Sequence, residues 1–266
     1  MSVHLFIHQA TMHPTTSTHS AHINASDSPS TPVLVLQDLT VQRGDFPLCE
    51  GVMLQLYTGD ICHLIGANGT GKTTLLMQLA GLLPLLEGKV LYQGQNSLPI
   101  APVYVSHQLG IHPSLTVKQN LSFLLNLYGI EPSNAQIEAA LDWVGLSGFE
   151  NMGSNQLSAG QTRRVTLARL YLMTPQHTPL WLLDEPFTAL DVAMVARLQQ
   201  QLNSFVNAGG AVLMTSHQPV EVANKQLDLS GYLPSYSGSD DLDSDDNFAS
   251  YAYDDDHYDP NNQGTL

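Results

Sequence analysis

Basic residues are scarce in this chain. Its 266 residues include 9 Lys and Arg against 24 Asp and Glu, which gives a net charge of -15. Nucleic-acid binding needs clustered Lys and Arg to neutralise phosphates, so the composition argues against DNA or RNA as a partner. Residues 231–266 contain nine Asp and no Glu, Lys or Arg. The acidity is therefore largely a property of the C-terminal stretch rather than of the fold.

Cysteines and long apolar runs are also lacking. Cys49 and Cys62 are too few for a disulfide framework, and Cys62 stands in an apolar run typical of a buried core thiol. No apolar stretch approaches the roughly 20 residues that a helix needs to span a bilayer. Residues 1–11 contain no Lys or Arg and make no convincing signal peptide. We expect a soluble protein of the reducing cytoplasm, whose membrane part, if it needs one, belongs to a partner.

The chain is predicted to hold one α/β domain at 32–230, between two irregular ends. Residues 1–31 are rich in Ser, Thr, His and Pro and predict a disordered extension; their five His leave metal binding open. Residues 231–266 predict a disordered acidic tail. Within the domain, apolar strands alternate with helical patterns, which indicates a largely parallel sheet. The expected strands are 32–41, 53–57, 60–65, 103–106, 180–183 and 211–215, with helices at 73–80, within 113–155, from 158, and at 192–205.

A glycine-rich loop follows the strand 60–65 and opens a helix. The segment Gly66–Thr73 matches the pattern G-x-x-x-x-G-K-[ST], in which backbone amides and a helix N-terminus surround phosphates. Lys72 is expected to reach the β- and γ-phosphates of a nucleotide, and the Thr73 hydroxyl to bind Mg²⁺. The predicted nucleotide-binding residues here are Gly66, Ala67, Asn68, Gly69, Thr70, Gly71, Lys72, Thr73 and Thr74.

Two further segments carry chemistry. The apolar strand 180–183 delivers Asp184 and Glu185 at its carboxyl end, where ligands bind in parallel sheets. Downstream of a phosphate-binding loop, Asp184 is expected to hold Mg²⁺ and Glu185 to act on the attacking water. In Leu157–Gln161, Ser158 is a good N-cap for the next helix, so a second helix terminus faces phosphate.

Together these segments resemble the nucleotide-binding domain of ABC ATPases, whose signature is close to LSGGQ. The resemblance covers about 33–229. It implies a P-loop NTPase fold with a RecA-like parallel-sheet core, an antiparallel β subdomain and an α-helical subdomain at about 112–157. It further implies ATP and Mg²⁺ as ligands and a head-to-tail homodimer, in which the signature residues Ser158, Gly160 and Gln161 of one subunit face the P-loop of the other.

The resemblance also assigns single residues. Gln108 stands where the family's Q-loop glutamine senses Mg²⁺ and the attacking water, and Asp191 where an aspartate acts across the dimer. His217 stands at the position of the switch histidine that contacts the γ-phosphate. Arg43 lies where many members carry an aromatic that stacks on adenine; a guanidinium can also stack on a ring, and Phe46 is a possible substitute. Ala159 replaces the commoner Gly of the signature.

The detailed sequence of four segments also resembles one subfamily, the ATP-binding subunits of the bacterial cytochrome c maturation complex, which are also called haem exporter ATPases. The segments that carry this likeness are 106–111, 155–165, 183–192 and 215–219. The likeness implies a peripheral protein at the cytoplasmic face of the inner membrane, bound to an integral-membrane permease. ATP hydrolysis would be linked to release of a haem-loaded chaperone. Alternatives are an ABC ATPase for another cargo and a non-transport ABC ATPase of the iron–sulfur assembly type.

Overall fold

The computed structural model describes residues 31–44, 46–96, 101–106 and 110–234. Nearly all of the predicted extension 1–31, most of the predicted tail 231–266, and Gln108 lie outside the described residues. A short 3₁₀ turn, Leu229–Tyr232, ends the described part of the domain, and its Tyr232 packs against the core.

A five-stranded parallel sheet forms the centre of the molecule. Its order is β5-β6-β7-β3-β8, and every neighbouring pair runs parallel. Because the strands are parallel, their carboxyl ends share one edge of the sheet, where ligands bind in such folds. The segments after β3, β6 and β7 therefore meet at this edge. The strands are β3 (Ile61–Ile65), β5 (Val103–Val105), β6 (Leu180–Leu183), β7 (Ala211–Thr215) and β8 (Lys225–Asp228).

A second, antiparallel sheet has the order β2-β1-β4, with β1 (Leu34–Arg43), β2 (Phe46–Leu56) and β4 (Lys89–Tyr92). The predicted strand 53–57 is thus the end of a longer one. Neither β4 nor β8 was predicted, because four residues are too short to show a period of two and each begins with Lys instead of forming a continuous apolar run like β6. Gly88 precedes β4, where a Cβ would lie 2.3 Å from the Asp38 carbonyl oxygen, so only glycine allows this approach to β1.

Five helices surround the parallel sheet in the described residues. The predicted helical stretch 113–155 resolves into two helices and a 3₁₀ turn, Ser154–Gln156. Three helices begin with a capping box, in which Thr116, Ser133 and Ser158 each exchange hydrogen bonds with a Gln three residues on. The helices are α1 (Lys72–Leu79), α2 (Val117–Asn126), α3 (Asn134–Trp143), α4 (Ala159–Leu172) and α5 (Val192–Asn207).

The core consists of two apolar clusters on opposite faces of the parallel sheet. Strand β6 contributes to both: Trp181 and Leu183 pack with α2 to α5, while Leu180 and Leu182 pack with α1 and the antiparallel sheet. The Trp181 ring stacks on Phe205 of α5 with 3.7 Å between ring centroids. A strand buried on both faces is continuously apolar, which explains its sequence. Among the described residues, no helix is long and apolar enough to cross a membrane.

Candidate functional site

The P-loop connects β3 to α1 and bends sharply at its glycines. At Gly71 the backbone has φ +94°, and a Cβ would lie 3.0 Å from the Val41 side chain, so a larger residue would be strained and crowded. The Lys72 ammonium donates hydrogen bonds to the carbonyl oxygens of Gly66 (2.8 Å) and Ala67 (2.9 Å). The lysine side chain thus folds back over the loop and is held by its own backbone.

Asp184 emerges at the carboxyl end of β6 and is almost fully buried. Its Oδ2 accepts a hydrogen bond from the Thr73 hydroxyl at 2.8 Å, and its Oδ1 accepts one from the Thr215 hydroxyl at 2.7 Å. Because Leu183 pairs with Met214 in the parallel register of β6 and β7, the next residues, Asp184 and Thr215, are neighbours. Both carboxylate oxygens are therefore fixed, one from the P-loop helix and one from β7.

Glu185 follows in a left-handed backbone conformation, with φ +50°. Its N–H donates to the Thr215 hydroxyl at 2.8 Å, and its backbone carbonyl accepts a hydrogen bond from the Arg163 guanidinium. The side-chain Oε2 accepts a hydrogen bond from the His217 N–H at 3.2 Å, and Oε1 lies 3.7 Å from His217 Nε2. A non-glycine residue in this region costs free energy and persists only where its surroundings hold it, as they do here.

These groups line a cleft of about 370 Å³ at the carboxyl edge of the parallel sheet. Its lining joins most of the predicted site residues with one that was not predicted, Leu48 of β2. Of the predicted P-loop residues, Gly66, Ala67 and Thr70 do not line the cleft. The lining residues are Arg43, Leu48, Asn68, Gly69, Gly71, Lys72, Thr73, Thr74, Asp184, Glu185 and His217.

Comparison with known proteins identifies the family. The sequence profile described as ABC transporter matches residues 49–188. The cytochrome c biogenesis ATP-binding export protein CcmA of Saccharophagus degradans is 40% identical over 75% of this chain and 94% of its own length. The CcmA protein of Pseudomonas savastanoi pv. phaseolicola is 45% identical over 71% of this chain and 90% of its own length. This chain belongs to the CcmA family of ABC transporter ATPases.

The fold agrees with that assignment. A solved putative ABC transporter ATP-binding protein from Pyrococcus furiosus superposes with a TM-score of 0.67 at 25% identity, covering 76% of this chain and 99% of that one. This ABC ATPase therefore has the predicted P-loop architecture, with a parallel core, an antiparallel sheet and added helices, and it is an ATP-hydrolysing enzyme.

The signature residues of the ABC ATPase lie at the start of α4 and do not line the cleft. Ser158 caps the helix: its hydroxyl accepts from the Gln161 N–H at 3.2 Å, and the Gln161 side chain accepts from the Ser158 N–H at 2.9 Å. At Gly160 a Cβ would have its nearest heavy atom, the Ala189 carbonyl oxygen, 3.9 Å away. The start of α4 is therefore a capped, uncrowded helix N-terminus that lies outside the lining of the chain's own cleft.

Asp191 also stands outside the cleft, as the N-cap of α5. Its carboxylate accepts from the Met194 N–H at 2.8 Å and forms an ion pair with Arg164 of α4. The Met194 N–H contributes most to lowering the pKa of the Asp191 carboxyl below its usual range, and Arg164 lowers it further. This pair joins α4, which carries the signature, to the segment that follows Asp184 and Glu185.

Two groups that hold Asp184 and Glu185 in place were not predicted from the sequence. Thr215 bonds to both Asp184 and Glu185, and the buried Arg163 supports the Glu185 backbone. Burial lowers the pKa of the Arg163 guanidinium, while Glu185 and Asp184 oppose that shift. Thr215 could have been found only with the knowledge that β6 and β7 are neighbours in the sheet. Arg163 carries no such signal, since a lone Arg in a helix usually lies on the surface.

At the hairpin end of the antiparallel sheet, Arg43 lines the cleft, as expected for a residue that contacts a base. Phe46 is its cross-strand partner, and 73% of it is exposed. Cross-strand neighbours lie close enough to share one ligand surface. Stacking on adenine by either residue stays a prediction.

Thr73 and Asp184 fit a magnesium ion. Both present hard oxygen atoms, the ligands that Mg²⁺ prefers, and the atoms already lie within hydrogen-bond distance of each other. Within the described residues, no group of three or more His, Cys, Asp or Glu is gathered in a way that could hold a metal alone. A site with few protein ligands suits Mg²⁺ that arrives with nucleotide phosphates.

Proposed function

We propose that this chain is the ATP-hydrolysing subunit of an inner-membrane complex for cytochrome c biogenesis, and that its cleft binds MgATP. The observation that carries the proposal is the hydrogen-bonded network of Thr73, Asp184, Thr215 and Glu185 beside Lys72. The names of the relatives, which describe ATP-binding export proteins for cytochrome c biogenesis, suggest the biological process.

Each cleft residue has a role that follows from its chemistry. The P-loop amides and Lys72 bind the β- and γ-phosphates once the lysine leaves the loop carbonyls. Thr73 and Asp184, together with Gln108, which lies outside the described residues, would hold Mg²⁺, which when bound would neutralise charge on the phosphates. Glu185 orients or deprotonates the attacking water, and His217 contacts the γ-phosphate.

A second subunit completes the site. The helix N-terminus at Ser158, Gly160 and Gln161 suits an anion, because its amide groups and dipole favour negative charge. These residues do not line the chain's own cleft, so a head-to-tail homodimer places them against the partner's nucleotide. Asp191 would then act across the same interface.

The permease-facing surface is proposed to lie where β5 leads into α2. An apolar groove of about 360 Å³ is lined there by Ile111, Leu115 and Phe123, and 53% of Phe123 is exposed. An exposed aromatic in an apolar groove is typical of a protein contact. We propose that an integral-membrane permease docks here, holding the ATPase at the cytoplasmic face of the bacterial inner membrane. Closure of the ATPase dimer then drives release of the haem-loaded chaperone.

The test is complementation in a bacterium that lacks its own cytochrome c maturation ATPase. We expect the intact chain to restore holo-cytochrome c and the Glu185→Gln variant not to restore it. If the intact chain fails while the purified protein hydrolyses ATP, another cargo replaces cytochrome c biogenesis. A co-expressed permease from the same source organism removes failed pairing as an explanation.

The Glu185→Gln variant also tests the chemistry directly. Because the amide cannot take a proton from water, we expect kcat to fall by about 100-fold or more. The affinity for ATP should stay within about twofold, since loop amides and Lys72 supply phosphate binding. Size-exclusion chromatography with MgATP should show a trapped dimer. Normal turnover by this variant would remove Glu185 from the mechanism.

A further inference from the structure

One peptide unit beside the cleft is held at both of its ends. The carbonyl oxygen of Ser216 lies 3.2 Å from Nε2 of His63, and the N–H of the same peptide, which belongs to His217, donates to Glu185 Oε2 at 3.2 Å. A peptide unit is planar, so its two ends turn together. Rotating the carbonyl away from His63 therefore turns the N–H away from Glu185.

The fold explains why His63 reaches this peptide. His63 lies in β3, whose parallel partner β7 places Met214 opposite it, so the chain after β7 passes beside the His63 ring. A carbonyl oxygen can only accept, so Nε2 of His63 carries a proton and donates. This is true of the neutral ring with its proton on Nε2 and of the charged ring alike, so the bond does not depend on His63 gaining a charge.

The switch segment relies on its backbone for position. The His217 side chain is 71% exposed, so packing does little to hold it. The segment is anchored at its start by Thr215, which bonds to Asp184, and the Gln218 N–H donates to the Ser216 hydroxyl at 3.0 Å within the segment. After this anchor, the Ser216–His217 peptide sets the direction of His217 and supplies a donor to Glu185.

We propose that His63 is a positioning residue for ATP hydrolysis. By donating to the Ser216 carbonyl it fixes the Ser216–His217 peptide, and through that peptide it orients the Glu185 carboxylate and the His217 ring. The proposal rests on the roles given to Glu185 and His217 under the proposed function. His63 itself touches no part of the nucleotide cleft, so its effect falls on turnover rather than on nucleotide affinity.

The first test compares two substitutions in the full-length chain. His63→Leu keeps the side-chain bulk and removes the donor, whereas His63→Gln keeps an N–H donor at a similar reach. We expect His63→Leu to lower kcat about tenfold with KM and nucleotide affinity within about twofold, because misplaced catalytic groups slow chemistry without weakening binding. His63→Gln should keep most of the intact kcat. His177→Leu, at the opposite edge of the sheet before β6, is the matched control and should leave kcat unchanged.

Chemical rescue provides a readout that simple destabilisation would not move. His63 lines an open cleft of about 670 Å³ together with Ser216, His217 and Lys225, which is room for a free imidazole molecule. We expect added imidazole to raise the kcat of His63→Ala at least about threefold, since a donor returns beside the Ser216 carbonyl. The same imidazole should not change the rate of the intact chain or of His63→Gln.

The outcomes separate this inference from the proposed function. If Glu185→Gln is inactive while His63→Leu keeps the full kcat, the positioning role of His63 is wrong and the function stands. If His63→Leu raises KM at unchanged kcat, or if His63→Gln is as slow as His63→Leu and imidazole has no effect on His63→Ala, the donor role is also overturned. If Glu185→Gln turns over normally, the proposed catalytic role itself has failed. Equal thermal midpoints of the Leu and Gln variants exclude a difference in folding.

Discussion

The cleft and the signature are held in place by two different kinds of contact. In the cleft, contacts join segments far apart in the chain: the Thr73 hydroxyl meets Asp184, and the Thr215 hydroxyl meets Asp184 from the other side. At the signature, side chains bond within a single helix turn, as Ser158 does with Gln161. One region is assembled by the tertiary fold, and the other by local capping.

The difference shows what each region needs in order to work. A network of distant segments is complete only in the folded domain, and it gathers Lys72, both carboxylates and His217 around one cleft. At the start of α4, the Ser158 and Gln161 side chains satisfy each other's backbone N–H groups. The N–H groups of Ala159 and Gly160 have no partner within the helix, so they can bind a phosphate that another molecule brings. In the head-to-tail dimer that we propose, the cleft of one subunit and the signature of the other are the two unlike halves of one site.

The largest effect on ATP turnover should come from damaging the cleft in one subunit of the dimer and the signature in the other. Lys72→Ala removes the phosphate-binding ammonium, and Gly160→Asp sets a carboxylate at the signature helix start, where a Cβ meets no heavy atom closer than 3.9 Å. Each variant alone is expected to lose about 100-fold or more in ATP turnover, because each removes or opposes charge stabilisation at the phosphates. Mixing the two should restore up to about a quarter of the intact rate, since random pairing makes half of the dimers mixed and each has one complete site.

A mixture that stays inactive at every ratio, while each variant still binds the intact chain, would contradict the two-half arrangement. So would a Gly160→Asp variant with intact turnover on its own. Mixing two different P-loop variants, Lys72→Ala with Thr73→Ala, provides the matched control, because no mixed dimer of that pair contains a complete site.

The next effect tests the tertiary network at the residue that sequence reasoning missed. Thr215→Val removes the hydroxyl that donates to Asp184 and accepts from Glu185, while keeping the side-chain shape. We expect kcat to fall about 10- to 100-fold through misplaced carboxylates, and the free energy of unfolding to fall by about 1–3 kcal/mol, because the buried Asp184 loses a partner. Steady-state kinetics and urea unfolding measure the two.

Thr178→Val is the control for that substitution. Thr178 is equally buried, and its hydroxyl has no hydrogen-bond partner within the part of the chain that the structure describes. Replacing it with Val should leave both kcat and stability unchanged or raise stability slightly. If Thr178→Val and Thr215→Val behave alike, the hydroxyl network does not hold the carboxylates.

The same contrast explains what the sequence could predict. Local features could be predicted from the sequence. They are the P-loop between a strand and a helix, the two acids after an apolar strand, and Ser158 as the cap of α4. Features that depend on which strands are neighbours were not. Thr215 gains its role only because β7 lies beside β6 in register, and His63 only because β3 lies beside β7.

Short strands and buried Arg side chains were also not predicted from the sequence. The strands β4 and β8 have four residues each, too few for alternation to stand out from a loop. Arg163 and Arg164 are adjacent in the sequence, yet one supports the Glu185 carbonyl and the other pairs with Asp191. Nothing in the pattern Thr162–Val165 distinguishes them, because helix rotation alone points them to different segments.

A smaller effect tests the signature, which is held in place by local capping. Ser158→Ala and Ser133→Ala each remove one hydroxyl from the same capping arrangement, one at the signature and one at the start of α3. Each is expected to lower the free energy of unfolding by about 1 kcal/mol, as lost caps do. Only Ser158→Ala should also lower ATP turnover. Equal turnover in the two variants would mean that Ser158 is a cap and no more.

The smallest effect concerns the charge of Asp191, which pairs with Arg164 of the signature helix. Asp191→Asn keeps an oxygen that accepts from the Met194 N–H, and Asn caps helices as well as Asp, so the change isolates the charge opposite Arg164. Because the folded state lowers the pKa of Asp191 below its ordinary 3.8, mainly through the Met194 N–H, the charge stabilises the fold above that value.

That stabilisation is lost as pH falls through the lower folded-state pKa. Urea unfolding should therefore show a small deficit for Asp191→Asn at neutral pH, which shrinks as pH falls below 3.8. Added salt should shrink it too, because the carboxylate is exposed and its ion pair is screened. If the deficit in the free energy of unfolding persists at low pH and in high salt, Asp191 stabilises the fold through its shape rather than its charge. The link between the signature helix and the cleft would then be mechanical.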